Sequence, residues 1–266
     1  MKKKISITID ESLLEEVESE VDGLRIQNRS QAIENLLEKS LGKNKTAVVL
    51  CGGSPEENRV DGKLRFCAEV DDSTLIEENV KKLRREGFSK IYVVGQEETL
   101  TEIFSLVKNG GRYGLDIEYV EEGVSQGTFQ SLKLLRGKVD STFLVLYGDV
   151  FTRANLENLW DRHLENRGQA TLMLITSSEP ERSGVVGLEG EKIDRFTQKP
   201  GEAEDYIIFS SVLVCEPGLL EYEGKSLEED VFPKLIEDGV LYGHLTSKDR
   251  IHVHEEDDFK ELKNFI

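Results

Sequence analysis

Residues 46–53 read Thr-Ala-Val-Val-Leu-Cys-Gly-Gly. Ala47 to Leu50 is an unbroken apolar run, and Gly52-Gly53 ends it. A short run with no polar alternation suits a strand buried on both faces, as in a parallel sheet. Downstream, the pattern alternates. Helix is predicted over 75–87, 100–107 and 128–135. Strand is predicted over 90–95 (around Ile91-Tyr92-Val93-Val94), 116–120 and 143–147. Strands interleaved with helices imply a largely parallel sheet with helices on both faces. Ligands in such sheets bind beyond the carboxyl ends of the strands. The second half is more mixed, with strands over 170–176, 207–215, 241–245 and 251–254. Hairpin pieces fall at 183–186 and 192–198, and a helix at 227–238. No internal repeat or low-complexity segment interrupts this series.

Upstream of the run, residues 4–9 read Lys-Ile-Ser-Ile-Thr-Ile. Ile5, Ile7 and Ile9 share one face, while Lys4, Ser6 and Thr8 share the other, which is the period of a half-buried strand. Asp10 or Ser12 can cap a following helix, with Glu15 and Glu16 near its start favoured by the dipole. Its apolar stripe is Leu13, Leu14, Val17 and Val21, and Gly23 suits its end. A second helix opens at Asn28-Arg29-Ser30, with Ser30 as N-cap and Ile33, Leu36, Leu37 and Leu41 at helical spacing. Gly42 and Lys43-Asn44-Lys45 read as a linker. One strand with an apolar face needs a partner. The segment therefore predicts a homodimer with two paired strands above four helices, with pairing of dimers into tetramers left open.

Composition sets the outer limits. The 266 residues suffice for one large domain and one small one. A net charge of −18 argues against bulk attraction to nucleic acid or to an anionic membrane, so any DNA contact requires a local basic patch. Lys2, Lys3 and Lys4 supply such a patch at the ribbon, while the acids lie along the first helix. Cys51, Cys67 and Cys215 lie in apolar surroundings without metal-knuckle spacing, which suits free thiols in a reducing compartment. No apolar run approaches the roughly 20 residues of a membrane span. The expectation is a soluble, cytoplasmic protein.

The stretch KISITIDESLLEEVE…NRSQAIENLLEKSL resembles the ribbon-helix-helix family of DNA-binding proteins. That resemblance implies a ribbon entering the major groove, with Lys4, Ser6 and Thr8 at base edges and Arg29 and Ser30 at a phosphate. The rival reading is a dimerisation module that never touches DNA.

Residues 46–263 carry an ordered series resembling the sugar nucleotidyltransferases. AVVLCGG resembles the strand and Gly-rich turn that cradle a nucleotide. QGT (126–128) resembles the segment near the base, and LVLYGDV (144–150) the strand ending in a metal-binding aspartate. SGVV (183–186) and FTQKP (196–200) resemble the sugar-side motifs, and EEDVFPKL (228–235) a late helix. By this resemblance Gly52, Gly53, Lys63, Gln126, Gly127 and Thr128 would bind nucleotide. Arg59 and Lys63 would be catalytic, Lys199 and Gly184 would hold the sugar phosphate, and Asp149 would hold Mg²⁺ bridging the phosphates. Asp149 as a loop cap and Lys199 as a solvated surface lysine are the rival readings. His252 and His254, alternating on one strand with no third ligand, read as ordinary strand histidines.

The sequence also departs from that family. After Gly52-Gly53 it reads Ser-Pro-Glu-Glu-Asn-Arg, without the third glycine, and with Glu56 and Glu57 where triphosphate would lie. Arg59 is displaced by two residues. Gln198 replaces a glutamate, Phe209-Ser210-Ser211 stands for Asn-Ala-Gly, and His252 for a second metal-binding aspartate. The resulting expectation is an α/β chain: a ribbon-helix-helix module over 1–43, then a Rossmann-like, mixed-sheet (GT-A-like) nucleotidyltransferase domain over 44–266. The function expected is a DNA-binding transcriptional regulator whose second domain senses a nucleotide or nucleotide sugar, with Mg²⁺ if nucleotide is bound. The alternative is an active Mg²⁺-dependent sugar-1-phosphate nucleotidyltransferase.

Overall fold

The computed structural model describes residues 5–21, 26, 28–40, 45–203, 205–248, 250–253 and 255–265. The chain divides into two compact units, Met1–Asn44 and Lys45–Ile266.

The first unit holds helices α1 (Glu11–Ser19) and α2 (Arg29–Ser40). Asp10 caps α1, its carboxylate accepting from the Ser12 backbone N–H at 3.0 Å. The cap of α2 is Asn28 rather than Ser30, since the Asn28 side chain accepts from the Gln31 N–H at 3.1 Å. Ser30 falls inside the first turn instead. Val17 of α1 and Ala32 of α2 are buried, and Arg29 pairs with Glu18. The strand expected over 4–9 is not formed in the single chain: residues 5–10 carry no strand pairing. Ile5 and Ile7 are 69% and 56% exposed. An isolated strand has no ladder partner, so its backbone gains nothing from extension. Lys4, Gly23, Leu41 and Gly42 lie outside the described residues.

The second unit is built on a nine-stranded sheet. Its strands are β1 (Lys45–Cys51), β2 (Phe88–Gly95), β3 (Asp116–Glu121), β4 (Phe143–Tyr147), β6 (Ala170–Thr176), β7 (Gly184–Glu189), β8 (Lys192–Gln198), β9 (Ile207–Cys215) and β10 (Leu241–Leu245). β5 (Val150–Thr152) and β11 (Arg250–His252) form a separate antiparallel pair. The order across the sheet is β6-β10-β8-β7-β9-β4-β1-β2-β3. β3, β2, β1 and β4 run parallel, and β9 joins β4 antiparallel. The sheet is therefore mixed, as the sequence implied.

β1 shows why the apolar run carries no alternation. Val48 and Leu50 face one core, with Phe129 and Leu132 of α5 (Thr128–Lys133) and Phe232 and Leu235 of α7 (Phe232–Glu237). Ala47, Val49 and Cys51 face the other core. They pack there with Ile76 and Val80 of α3 (Leu75–Arg85), Ile103 of α4 (Glu97–Val107), and Leu159 and Trp160 of α6 (Leu156–Asn166). Both faces are thus covered, and burial at about 25 cal/mol per Å² favours apolar residues at every position. Helix α6, not foreseen from sequence, opens on Asn155, whose side chain accepts from the Asn158 N–H at 2.9 Å. The helix expected over 227–238 begins as a π-turn, Leu227–Val231, before α7. Helix α8 (Glu256–Phe265), also not foreseen, buries Leu262 against Ile251 and Phe151. Among the described residues no helix is long and apolar enough to cross a membrane.

Candidate functional site

A cleft of about 360 Å³ opens at the carboxyl ends of β1 and β4. That volume lies within the roughly 300–1,000 Å³ of small-molecule sites. The chain reversals after these strands place Gly52-Gly53 and Gly148-Asp149 side by side. Gly53 has φ +94°, which an L side chain resists, and its N–H donates to Glu122 Oε1 at 3.1 Å. Glu122 is buried and also accepts from the Ser131 hydroxyl, so one carboxylate fixes the Gly-rich turn to α5. Asn58, also buried, donates from Nδ2 to the Gly52 carbonyl at 2.9 Å and accepts on Oδ1 from Arg65 at 2.6 Å. The turn therefore positions Arg65.

Asp149 is the centre of the cleft and is 7% exposed. Arg65 Nη1 lies 3.3 Å from its Oδ2, and His252 Nε2 lies 3.2 Å from the same oxygen. His252 reaches it because β5 starts immediately after Asp149 and pairs antiparallel with β11, matching Val150 to His252 and Thr152 to Arg250. Alternation puts Arg250 and His252 on the cleft side of β11, while Ile251 enters the small core with Phe151 and Leu262. Arg250 contacts His252 Nδ1 at 3.1 Å, the Phe209 carbonyl at 3.4 Å and Ser183 Oγ at 3.5 Å. Burial pushes the Arg250 pKa down to about 10, with Asp149 opposing the shift, so the guanidinium is charged at neutral pH.

The far wall is the sugar side of the resemblance. Gly184, Gln198, Lys199 and Ser211 line it. A side chain at Gly184 would meet Phe196 Cζ at 2.3 Å and Gln198 Oε1 at 2.9 Å. Gln198 Oε1 is buried and accepts no hydrogen bond from the described residues. Lys199 and Ser211 both hold left-handed backbone, at φ 44° and 64°. Strained non-glycine residues of this kind gather where a ligand wall is over-determined. Ser211 stands in the sequence where the family resemblance has glycine.

The floor carries Glu228, 8% exposed on the π-turn. It accepts from Thr128 Oγ1 and Ser226 Oγ at 2.9 Å each, and from the Tyr147 hydroxyl. Burial first, then the Glu228 charge, pushes the Tyr147 phenol well above its ordinary pKa.

The expected site residues divide into two groups. Gly52, Gly53, Gly127, Thr128, Asp149, Gly184 and Lys199 line one cleft. Gln126 is exposed and does not line it. Arg59 points away, held by Glu98 at 2.6 Å and by Glu102 at 2.5 Å. Lys63 pairs with Glu69 at 2.8 Å and lines a separate surface depression with Arg59. Ser6, Thr8, Arg29 and Ser30 are exposed in the first unit. Arg65, Arg250, Asn58, Glu122 and Glu228 line or brace the cleft and were not singled out from sequence. The signal for Arg65 was its place two residues beyond Lys63, at the head of an apolar run. The signal for Arg250 was its alternation with His252.

The resemblance assigns Mg²⁺ to Asp149. The donors present do not fit it: the one central carboxylate is engaged by the Arg65 guanidinium and the His252 imidazole, and imidazole is a poor ligand for a hard cation.

A family model described as nucleotidyl transferase matches residues 66–250, more than half of the chain. The chain belongs to the nucleotidyl transferase family. Among its relatives, the mannose-1-phosphate guanyltransferase of Aspergillus oryzae is 28% identical over 183 residues, 65% of this chain and 50% of that protein. The mannose-1-phosphate guanylyltransferase of Mycobacterium tuberculosis is 32% identical over 145 residues, 52% of this chain and 40% of that protein. The chain thus spans about half the length of the curated relatives it matches. HddC from Yersinia pseudotuberculosis, solved with GMP-PN, superposes with TM-score 0.70 at 17% identity, covering 83% of this chain and 98% of that one. At that identity the likeness shows the fold.

Proposed function

We propose that residues 45–266 transfer a nucleotidyl group from a nucleoside triphosphate to a sugar 1-phosphate. The observation that carries this reading is the convergence on one cleft, beyond the carboxyl ends of β1 and β4, of Arg65, Asp149, Lys199 and the Gln198 amide oxygen, which has no partner among the described residues. Four cations line that cleft, Arg65, Arg182, Lys199 and Arg250, against two carboxylates, Asp149 and Glu228. On a chain of net charge −18, this surplus selects an anionic ligand locally.

In the reaction, a phosphate oxygen of the sugar 1-phosphate attacks the α-phosphorus. The new P–O bond forms as the bond to the β-phosphate breaks, and pyrophosphate leaves with the electron pair. Lys199 would hold the attacking phosphate in line, Arg65 would meet charge on the α-phosphate, and Gln198 would accept from a sugar hydroxyl. Catalysis of this type is mainly positioning and charge stabilisation. The guanylyltransferase relatives make GTP and mannose 1-phosphate the first substrates to try. Incubation should form GDP-mannose, and Lys199→Ala should slow its formation about tenfold or more, as loss of one charge-assisted contact does. Absence of product with every common triphosphate and sugar 1-phosphate contradicts the reading.

One observation favours a second reading. The loop after Gly53 carries Glu56 and Glu57, and Arg59 is taken up by Glu98 and Glu102. A triphosphate tail would meet carboxylates there, whereas a nucleotide sugar need not reach it. In this reading the cleft senses a nucleotide sugar, and the first unit is a ribbon-helix-helix module that dimerises through residues 5–9 and binds DNA. Its support is the exposed Ile5 and Ile7 beside two capped helices. Retention of a duplex operator at low salt, steeply lost as salt rises, is the expected result. Indifference to all duplex DNA contradicts it.

A further inference from the structure

We infer that the centre of the cleft grips a phosphate group directly through Arg65 and Arg250, with no divalent cation at Asp149. This deepens the proposed function, on which it rests only for the presence of a phosphorylated ligand.

A hard dication takes oxygen ligands, and Mg²⁺ wants near-octahedral oxygens from carboxylates, phosphates and water. Asp149 Oδ2 already faces Arg65 at 3.3 Å and His252 at 3.2 Å. β11 brings an imidazole and a guanidinium to the edge where a second carboxylate would be needed. Glu228, the other carboxylate of the cleft, accepts from three hydroxyls at the floor. Among the described residues no cluster of three or more His, Cys, Asp or Glu could hold a metal ion. A dication beside two guanidinium groups would also be repelled at short range.

The same donors suit an anion. Guanidinium presents a planar fork that matches phosphate oxygens, and it keeps its charge when buried. Asn58 holds Arg65 at the cleft, and β11 holds Arg250. The long contacts of Arg250 to Ser183 and Phe209, 3.5 and 3.4 Å, are weak enough for a charged phosphate oxygen to displace. Asp149 then acts as a positioning residue: it is the counter-charge that orients Arg65 and His252 towards the ligand.

The test uses inorganic phosphate as the probe and the full chain in EDTA. At about ten times its half-saturating concentration, phosphate should raise Tm by about 3–5 °C, and equimolar-excess Mg²⁺ in place of EDTA should leave the half-saturation point within about twofold. Arg65→Gln and Arg250→Gln should each weaken phosphate binding about tenfold or more. If Arg250→Gln fails to fold, Arg65→Gln carries the readout, since Arg65 lies on a different segment. Mn²⁺ titrated into the ligand-free protein, followed by its electron paramagnetic resonance signal, should remain free. His252→Asp, which supplies a second carboxylate, should take it up. Stoichiometric Mn²⁺ uptake by the unsubstituted protein overturns the inference, as does phosphate binding only with Mg²⁺, no phosphate binding at all, or folded arginine variants that bind phosphate normally. Formation of a nucleotide sugar is a separate measurement, so the proposed function can fail or stand independently.

Discussion

At the residue scale, the cleft is shaped by positions whose backbone or volume leaves little choice. Ser211 sits at φ 64°, a conformation that costs a non-glycine residue about 1–2 kcal/mol. Ser211→Gly should therefore stabilise the fold by about 1 kcal/mol in urea denaturation, and a neutral or destabilising result would show that the serine side chain offsets its own strain. Gly184→Ala should do the reverse. Its new methyl would lie 2.3 Å from Phe196 Cζ, and overpacking of that kind costs about 1–3 kcal/mol, read as a lower denaturation midpoint. Glycine at 184 and lysine at 199 were legible as motif residues. Arg65 was not, because the cation nearest to the family position by counting was Lys63. Counting fails there because residues 59–64 fold as a small hairpin, which turns Arg59 and Lys63 outward and delivers Arg65 to Asp149. His252 was legible as a replaced carboxylate; Arg250 alternates with it in the sequence, and the β5–β11 register is what brings both to Asp149.

At the scale of elements, most strands and helices of the second unit were readable from period and punctuation. The central strands declared themselves as apolar runs because both sheet faces are covered. Helix α6 was missed because its stripe is carried partly by His163, a polar residue that is buried at 1% exposure. His163 is satisfied there: Nδ1 meets Thr171 Oγ1 at 2.9 Å and Nε2 meets Glu216 Oε1 at 3.1 Å. The histidine hydrogen bond, then that from Thr142, holds the Glu216 pKa below the ordinary carboxylate value of 4.5 despite partial burial. A carboxylate depressed in the folded state adds stability above its unfolded pKa and loses it as pH falls through the folded one. Acidification below about pH 4.5 should therefore weaken the attachment of α6 to the sheet, and Glu216→Gln should flatten the acid limb of a stability–pH curve. An unchanged limb would mean that the His163–Glu216 contact contributes nothing. The strand expected over residues 4–9 was the opposite case. The alternation that suggested it was plain in the sequence, but residues 5–10 carry no strand pairing and leave Ile5 and Ile7 exposed.

At the scale of the whole molecule, a protein of net charge −18 brings Arg65, Arg182, Lys199 and Arg250 to the lining of one cleft. Because residues 1–44 and 45–266 are separate compact units, removal of residues 1–44 should leave the second unit folded and able to bind the same ligand. If the first unit dimerises as proposed, the truncated protein should sediment as a smaller species than the full chain. Equal association of both forms would place the dimer interface elsewhere. The central claim is that the cleft beyond β1 and β4 performs nucleotidyl transfer. Pyrophosphate release tests it most directly, measured for the full chain and for Arg65→Gln with GTP and mannose 1-phosphate, then across other triphosphates and sugar 1-phosphates. Release should require both substrates and fall about tenfold or more in the variant. Stabilisation by nucleotide sugars without pyrophosphate release from any pair would contradict it, and would leave the cleft as a sensor.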